Sequence, residues 1–216
     1  MAIEFDHVFV CVATGAPEAE LLVDAGFLEG SPNVHPGQGT ANRRFPFRNA
    51  MLELLWVSDP AEARSEATRA MGLWERWSTR ANGASPFGIC TRPTTPGTAG
   101  APFSAWEYRP AYLPPELCYH IGKAPLEEPM WVHLAFVDRQ YRAQHFVPHP
   151  NGATDISRIR LLTPAKLLSD PARVALQNGV LTAAAGDQHL LEIEIDRRQR
   201  KQTLDLRPAL PLVVQL

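Results

Sequence analysis

Glu53 is the residue hardest to explain as scaffolding. It lies in LELLWV, beside Leu52, Leu54, Leu55 and Trp56. A carboxylate in such company must meet a metal, a cation or a hydrogen-bond donor, or else stay protonated. One cation stands close by in the chain: Arg44, in TANRRF, on the strand-like run just before. If the two pair, Glu53 is electrostatic scaffolding; if they do not, it is free for chemistry. The segment HPGQGTANRRF, His35 to Phe45, carries more hydrogen-bonding groups than a plain loop needs. Gly37 and Gly39 permit tight turns. His35, Thr40, Asn42 and the arginine pair offer contacts to a polar or anionic ligand, arginine being the usual choice for a carboxylate or phosphate. Thr40 and Asn42 serve equally well as partners for the loop's own backbone. Neighbouring strand residues face opposite ways, so only one of Arg43 and Arg44 is expected to point inward.

The elements that must hold these residues follow from periodicity. IEFDHVFVCV alternates, with Phe5, His7 and Phe9 on one face and Val8, Val10 and Val12 on the other. APEAELLVDAG reads as a helix that begins near Pro17 and ends at Gly26. FLEGSPNV, TANRRFPF and AMLELLWV supply three more strands. A single helix is expected over 59–81, with the stripe Ala63, Ala67, Ala70, Met71, Trp74 and Trp77, its tryptophans acting as packing anchors. PFGICTRP, SAWEYRPAYL, CYHIG and PMWVHLAFV then read as four strands, with the loop-forming TTPGTAGAP where a helix would stand. The last stretch returns to strand (ISRIRLLTP), helix (DPARVALQNG) and strands (VLTAAA, HLLEIEID, QTLDLRPALPLVVQL). The organisation is therefore a module over 1–58, a linking helix over 59–84, a degenerate second module over 85–137, a connecting loop over 138–155 and a third module-like unit over 156–216.

Composition removes several function classes. A net charge of -2 argues against a broad basic face for nucleic acid. No apolar run reaches the length of a membrane span, and MAIEFDHVFV has acids where a signal peptide needs positive charge. Cys11, Cys90 and Cys118 are odd in number and widely spaced, in no metal-type or redox-type pattern, as expected of buried thiols in a reducing compartment. A cytoplasmic protein is expected.

Strand-helix-strand-strand-strand, with FDHVFV at its start, HPGQGTANRRF between its second and third strands, LELLWV at its end and PHPNGA opening the third unit, resembles the glyoxalase-like domain proteins of the vicinal oxygen chelate superfamily, which also holds dioxygenases and bleomycin-resistance proteins. The resemblance implies an α+β fold in which paired βαβββ modules roll one mixed sheet around a cup, with the C-terminal βαβββ-like unit added. It implies that a divalent metal (zinc, nickel, manganese or iron) sits in the cup. His7 and Glu53 match two of its ligands, and an imidazole with a carboxylate suits such an ion. The second module departs from the pattern: PFGICTR has no histidine, so the third ligand is His133 in PMWVHLAFV, with His120 as its competitor. HPGQGTANRRF is implied to lie at the cup, so that His35, Thr40, Asn42 and Arg44 would touch substrate.

Trp106, Tyr108, Tyr112 and Trp131 either wall a small-molecule pocket or pack the core. Three functions compete. The first is a metal-dependent lyase, isomerase or dioxygenase in which the ion is a Lewis acid and Glu53 doubles as the proton-transfer base. The second is a metal-free protein that binds or sequesters a small oxygen-rich molecule. The third is a structural homodimer with a vestigial cup.

Overall fold

The computed structural model describes residues 1–98 and 100–216. Strand β1 (Ile3–Cys11) is followed by helix α1 (Ala19–Asp24) and strands β2 (Asn33–His35), β3 (Thr40–Pro46) and β4 (Met51–Val57). The second module contributes β5 (Phe87–Pro93), β6 (Ala105–Tyr108), β7 (Tyr119–Gly122) and β8 (Met130–His133). These eight strands form one sheet in the order β2-β3-β4-β1-β5-β8-β7-β6. Within each module the first strand pairs in parallel with the last, β1 with β4 and β5 with β8, and the two modules meet through the antiparallel β1–β5 ladder. The module without a helix thus keeps the ladder of the module that has one.

The expected long helix of 59–81 is broken. Helix α2 (Pro60–Ala63), a 3₁₀ turn (Arg69–Met71) and helix α3 (Leu73–Thr79) occupy its place. Gly72, at φ +64°, cannot continue a right-handed helix and separates the last two. Trp77 serves as an anchor, its indole N–H donating to Val12 O at 2.7 Å.

The third unit builds a second sheet. Strand β9 (Ile156–Thr163), helix α5 (Asp170–Gln177) and strands β10 (Thr182–Ala185), β11 (Leu190–Ile195), β12 (Thr203–Asp205) and β13 (Leu212–Gln215) follow helix α4 (Arg139–Gln144). The element order opens as in the first module, but the ladder differs: β9 pairs in parallel with β10, and the order is β10-β9-β11-β13-β12. This sheet lies on the back of the large one. Val8, Val10, Leu52, Leu54, Ile89 and Trp131 bury against Ile159, Leu161, Leu191, Ile193 and Val214 in a single core. Fully burying each such side chain is worth about 1.5–3 kcal/mol, so this layer carries much of the stability. The intervening residues, Phe9, Cys11, Leu55, Ile121, Met130 and Val132, face the other way and form the second, smaller cluster.

His149 lies in the seam between the units. It is buried, its Nδ1 accepts from Leu28 N at 2.9 Å, and Phe27 and Phe47 pack edge-on to its ring. Burial lowers its pKa, so the ring is neutral when folded. The unfolded ring takes a proton near pH 6.5. Protonation therefore favours the unfolded chain, and stability falls as pH drops below that value, by at most about 1.4 kcal/mol per pH unit for one proton. The fall between pH 6.5 and 5 is expected to be shallower in His149→Asn, as measured by urea unfolding at several pH values; an unchanged slope counts against the assignment.

Candidate functional site

Strand alternation delivers His7 and Glu53 to the same side. Both line a cavity of about 210 Å³ on the face of the large sheet away from the second sheet. In the β1–β4 ladder His7 stands beside Met51 and Phe9 beside Glu53. By strand spacing and rise their Cα atoms are then about 8 Å apart, close enough for the two side chains to share one small ligand.

His7 is oriented by its neighbour in sequence. Phe5 pairs with Thr91 and His7 with Cys90, so two steps of β1 match one of β5. Asp6 is the extra residue of a β-bulge, a device that re-aims side chains. Its Oδ1 lies 2.5 Å from His7 Nδ1. The buried Asp6 also accepts from Arg92 Nη1 at 2.8 Å, from Arg142 Nε at 3.0 Å and from Arg142 Nη2. Burial alone would raise the Asp6 pKa, but Arg142 and His7 together hold it far below the usual carboxylate range. With an ionised acceptor beside it, Nδ1 carries a ring proton, and Nε2 is the ring nitrogen left outside this network.

Arg142, from α4, joins the site, and no sequence pattern marks it. It is buried, lines the cavity, and comes within 3.2 Å of His7 Nδ1. Burial opposes its charge, yet Asp6 and Glu53 keep its pKa above normal. Glu4, held by Arg92 and Arg139, completes the network. Three guanidiniums thus meet two carboxylates, and the surplus positive charge lies on the Glu53 side.

Glu53 is 8% exposed. Arg44 is its direct cross-strand partner, but its Nε donates to Ser31 O at 2.7 Å. Among the described residues Glu53 makes no ion pair. Arg44 lines the cavity, while Arg43 points the other way and binds Glu29 and Glu20.

The loop groups divide. Glu62 Oε2 accepts from Gly37 N at 2.8 Å and from Gly39 N at 3.0 Å, which occupies the glycine amides. Thr40 is fully buried and outside the cavity, and its hydroxyl accepts from Gln38 Nε2 at 2.8 Å and from His35 Nδ1 at 2.9 Å. It serves the loop. Asn42 is 1% exposed, and neither its Oδ1 nor its Nδ2 has a partner among the described residues. It lies on the same strand face as Arg44 without reaching the cavity wall. His35 does reach it, tilted against Tyr112 with ring centroids 5.2 Å apart, and burial lowers its pKa so that it is neutral. Tyr108 also lines the cavity, whereas Trp106 faces an adjoining depression with Met71, Ile121 and Met130. Sequence reading left out Gln38 and Tyr119. Gln38 accepts from the Tyr112 hydroxyl at 2.8 Å across the mouth, and burial pushes the Tyr119 hydroxyl up to about 12.

His133 is a correction. Met130 and Val132 face the cavity, so the period of two turns His133 to the back, where it is fully buried and bonded through Nδ1 to Thr91 Oγ1 at 3.0 Å. His7, Glu53 and His133 are not brought together. His120, the competing ligand, faces the back with it. Strands β5 and β8 and the residue after β8 offer the cup Cys90, Met130, Val132 and Leu134. Of these only the Cys90 thiol could ligate a metal, and burial, with Glu53 and Asp6 nearby, raises its pKa well above normal. The donor set for the implied metal stops at His7 and Glu53 and does not fit a full coordination shell. The one group of three close metal-type donors among the described residues, Glu107, Cys118 and His120, lies outside the cup. Among the described residues no helix is long and apolar enough to cross a membrane.

No curated protein matches this chain. Among solved structures, a hypothetical protein from Staphylococcus aureus is similar at 11% identity and a TM-score of 0.52, with 99% of each chain covered, a likeness of fold alone. The family model described as glyoxalase-like domain matches residues 5–175, which span both modules of the large sheet and run on into α5. With its paired ladders, its rolled sheet and that match, the chain belongs to the glyoxalase-like domain family of the vicinal oxygen chelate superfamily.

Proposed function

We propose that the cup binds a small, oxygen-rich, anionic molecule without needing a metal. The observation that carries this reading is Glu53, a carboxylate that faces the cavity and has no hydrogen-bond or ion-pair partner among the described residues. Its oxygens open on the cavity rather than on the protein, so the donor they meet is one that enters the cup, and a hydroxyl of the occupant supplies it. Arg44, whose terminal nitrogens make no hydrogen bond among the described residues, takes an anionic oxygen. Tyr119 is a neutral donor, and Met51, Leu55, Ile121 and Met130 bury the apolar part of the ligand.

The test is a thermal-shift and calorimetric screen of hydroxy and oxo acids against wild type and Glu53→Gln. Glu53→Gln is expected to weaken binding at least tenfold. A Glu53→Gln protein that binds as before would sink the reading.

A second reading is favoured by the Asp6–His7 pair. An imidazole with one nitrogen fixed by a buried carboxylate and the other bare is the arrangement of a general base. On this reading His7 Nε2 removes a proton from the bound molecule and Glu53 accepts a hydrogen bond from it. The lyase, isomerase or dioxygenase chemistry implied by the family resemblance would need donors beyond His7 and Glu53. Exchange of a ligand's carbon-bound hydrogen with deuterated solvent, abolished in His7→Ala, separates enzyme from binder.

A further inference from the structure

On the opposite face of the β6–β7 hairpin, three other donors converge. Glu107 and His120 are direct partners across the hairpin, and Cys118 immediately precedes β7. Alternation sends Tyr108, Tyr119 and Ile121 into the cup, which leaves Glu107, Cys118 and His120 on the back. One ligand atom from each lies within 4.8 Å of the other two, and Cys118 Sγ is 4.0 Å from His120 Nε2. Ligand atoms around a tetrahedral zinc sit about 3.5 Å apart, so the triangle has to tighten by little more than about 1 Å at its longest edge. Arg109 occupies only Oε2 of Glu107, leaving Oε1 for an ion.

A separate observation points the same way. His133, across β7–β8 from His120, is fully buried, and the two rings are 6.2 Å apart. The Thr91 hydroxyl donates to Val132 O at 3.2 Å, so it accepts from His133 Nδ1–H. His133 Nε2 is then a lone pair, and it is buried without a partner among the described residues. Buried polar atoms in that condition call for an explanation, a bound ion among them.

We propose that Glu107, Cys118 and His120 form a site for a divalent ion of the zinc type, separate from the cup, with His133 as the nearest further donor. Thiolate with imidazole selects zinc or cobalt over magnesium or calcium. Binding releases the Cys118 thiol proton to solvent and forms the sulfur–metal bond in its place. The ion would clip the outer hairpin of the large sheet, tying the segment before β7 to β6.

The experiment uses the full chain, stripped with a chelator and titrated with cobalt(II). The expected result is one equivalent bound, with a thiolate-to-cobalt charge-transfer band and tetrahedral d–d absorption. Cys118→Ser should lose the band, and His120→Ala should bind at least tenfold more weakly. His7→Ala and Glu53→Gln, which alter only the cup, should keep it. Glu107 is exposed, so Glu107→Gln reports the same weakening without threatening the fold. Absence of the band in wild type, its persistence in Cys118→Ser, undiminished affinity in both His120→Ala and Glu107→Gln, or its loss in His7→Ala would each overturn the proposal.

Discussion

Asp6→Asn is expected to lower the melting temperature by about 10 °C and to abolish ligand binding in the cup. The carboxylate is fully buried and accepts from Arg92, Arg142 and His7. Neutralising it leaves the buried Arg142 without its carboxylate and the buried Arg92 with Glu4 alone. Removing one member of a buried ion pair costs about 3–5 kcal/mol, because the partner's charge remains without compensation. For a chain of this size each kcal/mol shifts the melting temperature by about 2–4 °C. An amide oxygen would still accept one hydrogen bond, so the shape survives and the charge is what the variant tests. A shift below about 3 °C would show that Asp6 does not hold this corner together. The same group sets an acid limit. Its folded pKa is depressed, so its contribution is complete above the unfolded carboxyl value of about 3.9 and declines as pH falls below that. Wild type should therefore lose stability more steeply than Asp6→Asn below about pH 4.

Gly39→Ala is expected to cost about 3 kcal/mol, against about 1 kcal/mol for Gly37→Ala. Both glycines have positive φ, +71° and +79°, so both variants incur the left-handed penalty. They differ in surroundings. A Cβ on Gly39 would lie 2.2 Å from Asp59 O and 2.5 Å from Ala63 N, both backbone, whereas one on Gly37 meets nothing within 4 Å. Accommodating it means moving the start of α2, and with it Glu62, whose carboxylate holds both glycine amides. Denaturant unfolding of the two single variants provides the comparison; equal losses would refute the packing argument.

The first module was legible because its alternation is clean. Val8, Val10 and Val12 against His7 and Phe9 set the face of β1, and the run around Glu53 did the same for β4, so the convergence of those strands on one cavity followed. Phe5, expected with His7 and Phe9, packs instead on the core side, because the bulge between Phe5 and His7 breaks the alternation. His133 was misplaced by one step of the same rule. Trp131 and His133 share a face, and fully buried Trp131 packs in the core against the second sheet, but nothing in PMWVHLAFV says which face is the back until that sheet is in place. Asp6 is a visible neighbour for a hydrogen bond to His7, but its part in a buried ion network could not be read from the sequence, because the bulge that places it depends on the β5 register. Arg142 comes from a short helix far along the chain, and no local pattern marks a side chain whose partner is 136 positions away. The helix over 59–81 failed at Gly72, where a positive φ overrides an apolar stripe of the right period.

The second sheet on the back of the first leads to a division of labour by parity. On β1 and β4 the even-numbered Val8, Val10, Leu52 and Leu54 answer to the interior, and the odd-numbered His7, Phe9, Met51 and Glu53 answer to whatever enters from solvent. Selection on what the protein recognises can rewrite every second letter of these strands while the letters between keep the molecule folded.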